Sequence, residues 1–213
     1  MRLVSFWNEN GGEEMSQTAV VKQGSTKRLV TAGMLVAISI LLDATPFGTI
    51  RLPLISATIA HIPTIIGGIL CGPLVGAIIG LSFGLASLIR NLTQPTSILS
   101  FALMNPLISV LPRVLVGILS YYTYHGVRKF ANDYLSIIIG AVIGSFTNTV
   151  AVLGMIYIVY AKDVVEKFSE AGKIGSAQTI LLGIASANGL PEAIVAAILS
   201  VIIVKTLKKI YNI

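Results

Sequence analysis

Six apolar stretches dominate this sequence and leave few folds open to it. They run from about Leu29 to Thr45, Ile55 to Cys71, Pro73 to Ile89, Pro106 to Tyr124, Tyr134 to Tyr160 and Thr179 to Val204. A helix that crosses a bilayer needs about 20 residues of this kind, so the pattern predicts six spans joined by short loops. Only Gly72-Pro73 separates the second run from the third, which predicts a tight helical hairpin. His61 and Pro63 interrupt the second run. No stretch shows the roughly ten-residue alternation of a membrane barrel, so strands are not expected. The predicted fold class is therefore all-α integral membrane: a six-transmembrane-helix bundle over residues 25–213. Residues 1–24 are polar, lack periodicity, and read as a disordered cytoplasmic N-terminal extension. Within them Met15 follows Gly11-Gly12-Glu13-Glu14, which is what a purine-rich ribosome-binding stretch would encode. Met15 is accordingly the expected natural start.

Composition enters as a test of that reading. Charged residues are 11% of the chain, hydrophobic residues 54%, and the mean hydropathy is +0.87. A soluble domain carries roughly 25% charged residues, because its surface must face water; this chain lacks the charge for such a surface, so its solvent is mostly lipid. The net charge of +6 does not predict nucleic acid, because the basic residues form short clusters beside apolar runs. With six spans both termini share one side, and that side collects Lys22, Lys27, Arg28, Arg128, Lys129, Lys205, Lys208 and Lys209. The other side has Arg51, Arg90, Lys162, Lys167 and Lys173. Eight against five places both termini in the cytoplasm. A loop from about Lys162 to Ser176 is then external, with a short amphipathic helix expected in it. The single cysteine, Cys71, excludes an internal disulfide.

Ionisable groups inside apolar runs are costly, so each is a candidate for function. Arg113 lies about seven residues into the fourth run, roughly 10 Å below its outer end at 1.5 Å per residue. It either pairs with Glu192, at a compatible depth on the sixth run, or presents a fork to a substrate carboxylate or phosphate. Glu192 stands in Asn188-Gly189-Leu190-Pro191-Glu192, a cluster expected to weaken the helix, as carriers do where they line a site. Asn148 makes an interhelical hydrogen bond or touches ligand. Asn105 caps the fourth helix or contributes to the site. His61 is read either as a hydrogen-bonded structural residue or as a ligand contact, and Arg51 and Arg90 as interfacial. Gly72, Gly76, Gly80 and Gly84 recur every fourth residue, a stripe that lets a neighbouring helix come close. Gly33 and Ala37 make a shorter stripe on the first helix, for internal packing or for a partner protein. No metal-binding acidic pair, nucleophile elbow or ATP-binding loop is present. The chain is read as a binder without cofactor rather than an enzyme; a stand-alone intramembrane enzyme is the alternative of a different class.

Thr58-Ile59-Ala60-His61-Ile62-Pro63-Thr64-Ile65-Ile66-Gly67-Gly68, then Leu70-Cys71-Gly72-Pro73-Leu74-Val75-Gly76-Ala77, resembles the S components of energy-coupling factor (ECF) vitamin transporters. So does Pro112-Arg113-Val114-Leu115-Val116-Gly117. The resemblance covers about Leu29 to Lys209. It implies a multi-pass subunit of a prokaryotic plasma membrane that binds a water-soluble vitamin and docks on a transmembrane coupling subunit with two ATPases. The first-helix stripe that meets the coupling subunit corresponds to Gly33 and Ala37, with glycine in place of the usual first alanine. The vitamin site maps to Asn105, Arg113, Asn148, Asn188 and Glu192, with His61 beside them. The His-Ile-Pro segment is most similar to pantothenate-specific members; folate or another vitamin stays open as the substrate.

Overall fold

The computed structural model describes residues 26–45, 48–51, 56–95, 97–172 and 175–211. The expected extension over 1–24 and the start at Met15 lie outside them. The elements in chain order are α1 (26–44), β1 (Thr49–Arg51), β2 (Ser56–Thr58), α2 (Ile62–Cys71), α3 (Pro73–Thr93), α4 (Ser100–Leu103), α5 (Pro106–Val127), α6 (Asp133–Glu170) and α7 (Ala177–Tyr211). Seven helices are thus present among the described residues, and α3, α5, α6 and α7 are each long and apolar enough to cross a membrane.

The polarity of the bundle is turned outward. Large apolar side chains such as Leu74, Leu107, Ile158 and Ile202 are exposed, while Asp43, His61, Arg113, Glu192 and several serines are buried. That distribution suits a lipid solvent, since the outside has nothing to gain from water and the inside must satisfy its own polar groups.

The second apolar run departs from the expectation of a full span, and from the expectation that strands are absent. Its helix, α2, has ten residues, about 15 Å at 1.5 Å per residue, which is half of a roughly 30 Å hydrocarbon core. Pro63 is the reason for the late start. A proline lacks the N–H that a helix interior uses, but it fits the first turn, and here it sits there. Upstream of it the chain is an antiparallel pair, β1 with β2, in the register Thr49↔Thr58, Ile50↔Ala57, Arg51↔Ser56. Their ladder satisfies backbone groups that a helix would otherwise have to satisfy. Ser39 on α1 donates to the Ala60 carbonyl at 3.2 Å and ties the return of this hairpin to the bundle.

The hairpin of α2 and α3 is as expected. Gly72 turns the chain at φ 102°, a conformation glycine adopts without penalty, and Pro73 opens α3. The glycine stripe packs inside the molecule, against α5. A Cβ on Gly76 would stand 2.7 Å from Gly68 Cα and 3.1 Å from the Gly117 carbonyl carbon, and one on Gly84 would stand 2.7 Å from Val110 Cα. A Cβ on Gly80 would run into the Arg113 carbonyl oxygen. Glycine on both sides therefore brings α3 and α5 backbone to backbone, and it holds Arg113 at the depth it has.

The amphipathic helix expected near Lys162 continues α6. Tyr160 breaks helical geometry at φ −127°, ψ 26°, and the helix resumes beyond it to Glu170. Val164 and Phe168 face inward there and join Ala102 of α4, Ile108, Ile156 and Leu181 in a second apolar core, while Lys162, Asp163, Glu166 and Lys167 stay exposed. The Asn-Gly-Pro cluster of the last run does not interrupt α7, which is helical from Ala177 to Tyr211. Pro191 removes one N–H, which leaves the Ala187 carbonyl without its usual helix bond, but the flanking turns hold the helix together. At the opposite end of the bundle Asp133 accepts from Tyr124 at 2.7 Å and pairs with Lys208 at 2.7 Å, Lys205 at 2.9 Å and Arg128 at 3.3 Å. One carboxylate thus ties the α5–α6 turn to the last turns of α7.

Candidate functional site

Pro112 explains the position of Arg113. A proline at that point in α5 cannot donate to the carbonyl four residues earlier, so Ile108 is left with an open acceptor. Arg113 folds back along its own helix and fills it, with Nη1 donating at 2.8 Å. The residue is only 6% exposed, its Nε has no partner among the described residues, and its guanidinium lies 5.6 Å from the centre of the Phe83 ring. A buried guanidinium with one arm spent on a carbonyl and another donor unspent is poised for an anion.

Glu192 is the second buried charge. It does not form the ion pair with Arg113 that the sequence left open. Its Oε1 accepts from the backbone N–H of Thr58 at 2.9 Å, and its Oε2 from the Thr149 hydroxyl at 3.4 Å. The carboxylate of α7 therefore clamps the end of β2 against α6. Arg113 and Glu192 still lie within electrostatic reach of each other, as do Arg113 and His61.

His61 caps the start of α2, is fully buried, and has no hydrogen-bond partner on either ring nitrogen among the described residues. Asn148, next to Thr149 on α6, is half-buried, and its carbonyl oxygen is buried without a partner among the described residues. Asn188, half-buried, stands one turn before Glu192 on α7. Gly189 beside it lets Thr149 approach to 3.5 Å of where a Cβ would be. Asn105 stands at the start of α5. Its Oδ1 accepts from the Leu107 N–H at 3.0 Å and its Nδ2 donates to the Tyr160 hydroxyl at 3.3 Å. The helix cap is formed. Gly33 and Ala37 are exposed on α1, and a Cβ on Gly33 would meet nothing within 4 Å.

Two features escape the sequence reading. Thr58 and Thr149 hold Glu192, but hydroxyl and backbone groups carry no signal until the fold brings them together. Asp43 is buried at 5% exposure and pairs with Arg90 at 3.2 Å, so Arg90 anchors α3 to α1 instead of reaching for headgroups. Its signal was available: Asp43 and Glu192 are the only acidic residues inside the six apolar runs. Asp43 falls near the end of its run, where a charge costs least and is least conspicuous.

These groups make a polar centre inside an apolar bundle, with acceptors and donors left over for a small polar guest. A family model described as ECF transporter, substrate-specific component, matches residues 27–204. The chain belongs to that family. It is also 36% identical over 172 residues to the pantothenic acid transporter PanT of Lactococcus lactis subsp. cremoris (strain MG1363), covering 74% of this chain and 81% of that relative. A solved structure of the S component of a bacterial ECF transporter superposes with a TM-score of 0.57 at 20% identity, covering 89% of this chain and 99% of that one. At that identity the superposition speaks for the S-component fold. Membership in a family of transporter components sets the enzyme reading aside.

Proposed function

We propose that this S component binds pantothenate, with Arg113 receiving the vitamin carboxylate. Arg113 carries the reading: it is buried, and its Nε lacks a partner among the described residues. The 36% identity to a pantothenic acid transporter supports the choice of vitamin. Pantothenate also offers an amide and hydroxyls, which suit the Asn148 oxygen and the His61 ring, both without a partner among the described residues, and the amide of Asn188. Glu192, already held by Thr58 and Thr149, shapes the floor of this site rather than pairing with Arg113.

In this reading the bundle has six spans, with α2 and the β1–β2 hairpin together filling the place of the second. Both termini are cytoplasmic, in a prokaryotic plasma membrane. The exposed Gly33 and Ala37 face meets a transmembrane coupling subunit, which two ATPases drive. The test is a thermal-shift and calorimetric panel of pantothenate, folate and other vitamins on the purified chain. Stabilisation by pantothenate alone is the expected result. Stabilisation by a different vitamin would reassign the substrate while keeping the role.

A further inference from the structure

Arg113 is not the only charge that an anionic guest would meet. Arg90 on α3 pairs with Asp43 on α1 at 3.2 Å, and two turns earlier on α3 the Phe83 ring lies 5.6 Å from the Arg113 guanidinium, which folds back toward the start of α5. With Glu192 on α7 these four charges alternate in sign, and each carboxylate is within electrostatic reach of Arg113. Their formal charges sum to zero, so a carboxylate that enters does not find a free cation. It competes with two resident carboxylates for the field of Arg113.

The two residents are not equivalent. Glu192 has both oxygens engaged, by Thr58 and by Thr149. Asp43 has one oxygen on Arg90, while Oδ2 is buried without a partner among the described residues. The same holds for the Nε atoms of Arg90 and Arg113. Asp43 is thus the carboxylate whose charge is least committed, shared between the arginine it touches and the one beyond. The pair also borders a groove of about 480 Å³ between α1 and α3, lined by Ile40, Ser82 and Leu85 among others.

We infer that Asp43 is a specificity-determining residue that acts through Arg113: its carboxylate offsets part of the arginine charge and sets how strongly the site prefers an anionic ligand to a neutral one. Arg90 holds Asp43 back and so regulates that offset. This rests on the pantothenate reading, because it needs a ligand whose carboxylate approaches Arg113.

The two members of the pair then have opposite effects. Asp43→Asn removes the offset, so preference for the carboxylate rises. Arg90→Gln removes a cation and releases Asp43 toward Arg113, so preference falls. A pair that merely pinned α1 to α3 would give the same loss in both variants, for charged and neutral ligands alike.

The experiment measures binding of pantothenate and of its neutral alcohol, in which CH2OH replaces the carboxylate, to the purified chain and to Asp43→Asn, Arg90→Gln and Arg90→Lys. The readout is the ratio of the two affinities, which cancels a general loss of folded protein. The expected shifts are about five- to twentyfold, upward for Asp43→Asn and downward for Arg90→Gln, the scale of removing one charge near a partly buried site. Arg90→Lys keeps the charge and leaves the ratio near its starting value. Arg90→Gln leaves the buried Asp43 carboxylate without its ion-pair partner, so the melting temperature of each variant is read alongside, and a ratio unmoved in folded Arg90→Gln or in folded Asp43→Asn overturns the inference. Shifts of the same sign in both variants overturn it as well. If the unaltered chain binds neither ligand, the pantothenate reading fails first and takes this inference with it.

Discussion

At the scale of single residues, burial of charge is decided by which lone pairs and N–H groups are left over. Arg113 is tolerated inside the bundle because Pro112 frees the Ile108 carbonyl and the guanidinium fills it. In the pantothenate reading, removing the side chain has two consequences, a lost anchor for the vitamin carboxylate and an orphaned carbonyl. Arg113→Ala is therefore expected to weaken pantothenate binding by about 1.5–3 kcal/mol, the worth of a hydrogen bond to a charged group. Calorimetry on Arg113→Ala and Arg113→Lys checks this, with the lysine variant, which keeps the charge but not the fork, falling between the two. An affinity unchanged in the alanine variant would remove Arg113 from the vitamin site. Arg113, Glu192 and His61 were legible in the sequence because an ionisable side chain in an apolar run is conspicuous by its cost. Asp43 carries the same cost, but at the edge of a run it resembles the point where water begins.

At the scale of elements, the long helices were legible and the re-entrant piece was not. Hydrophobic length places α3 and α5 to within four residues and the starts of α6 and α7 to within two, since each must present about 20 apolar positions to lipid; the last ten residues of α6 and the last seven of α7 lie beyond the apolar runs. The hairpin of β1 and β2 has three residues in each strand, too short to leave an alternating pattern. Its stability comes from the ladder and from the Glu192 clamp far along the chain. The glycine stripe was legible as a site of close approach, but only the fold shows that its partner is α5. That contact makes a sharp prediction. A Cβ on Gly117 would fall on the backbone of Gly76, so neither side can yield by changing a rotamer. Gly117→Val is expected to cost at least the 1–3 kcal/mol typical of overpacking, read as a lower melting temperature in detergent. Leu74→Val, on an exposed position of the same hairpin, serves as the control and should leave the melting temperature within the small range of surface changes, about 0.5 kcal/mol. Equal stability of Gly117→Val and the control would mean that α3 and α5 are not in backbone contact.

At the scale of the whole molecule, orientation and coupling can be read from residues already present. Cys71, the single cysteine, is partly exposed and ends α2 beside the turn into α3. Arg28, from the start of α1, is within electrostatic reach of it, so Cys71 reports on the side that holds the N-terminal part of the chain. If that side is the cytoplasm, a membrane-impermeant maleimide labels Cys71 in inverted vesicles and not in intact cells; labelling of intact cells would reverse the bundle. The outer face of α1 carries the coupling argument. Its inward face is Thr31, Leu35, Ser39 and Asp43, all buried, whereas Gly33, Ala37 and Leu41 are exposed. Nothing in the described bundle explains small residues on that outward face, because the space beside Gly33 is open, and an ordinary lipid-facing position gains from a larger side chain. Small residues gain something only where another backbone comes close. Gly33→Phe is therefore expected to leave pantothenate affinity and melting temperature close to those of the unaltered chain, and to reduce uptake by at least tenfold when the coupling subunit and ATPases are co-expressed. Normal uptake would mean that the coupling subunit docks elsewhere, while a loss of binding in the isolated chain would mean that the face packs within the S component itself.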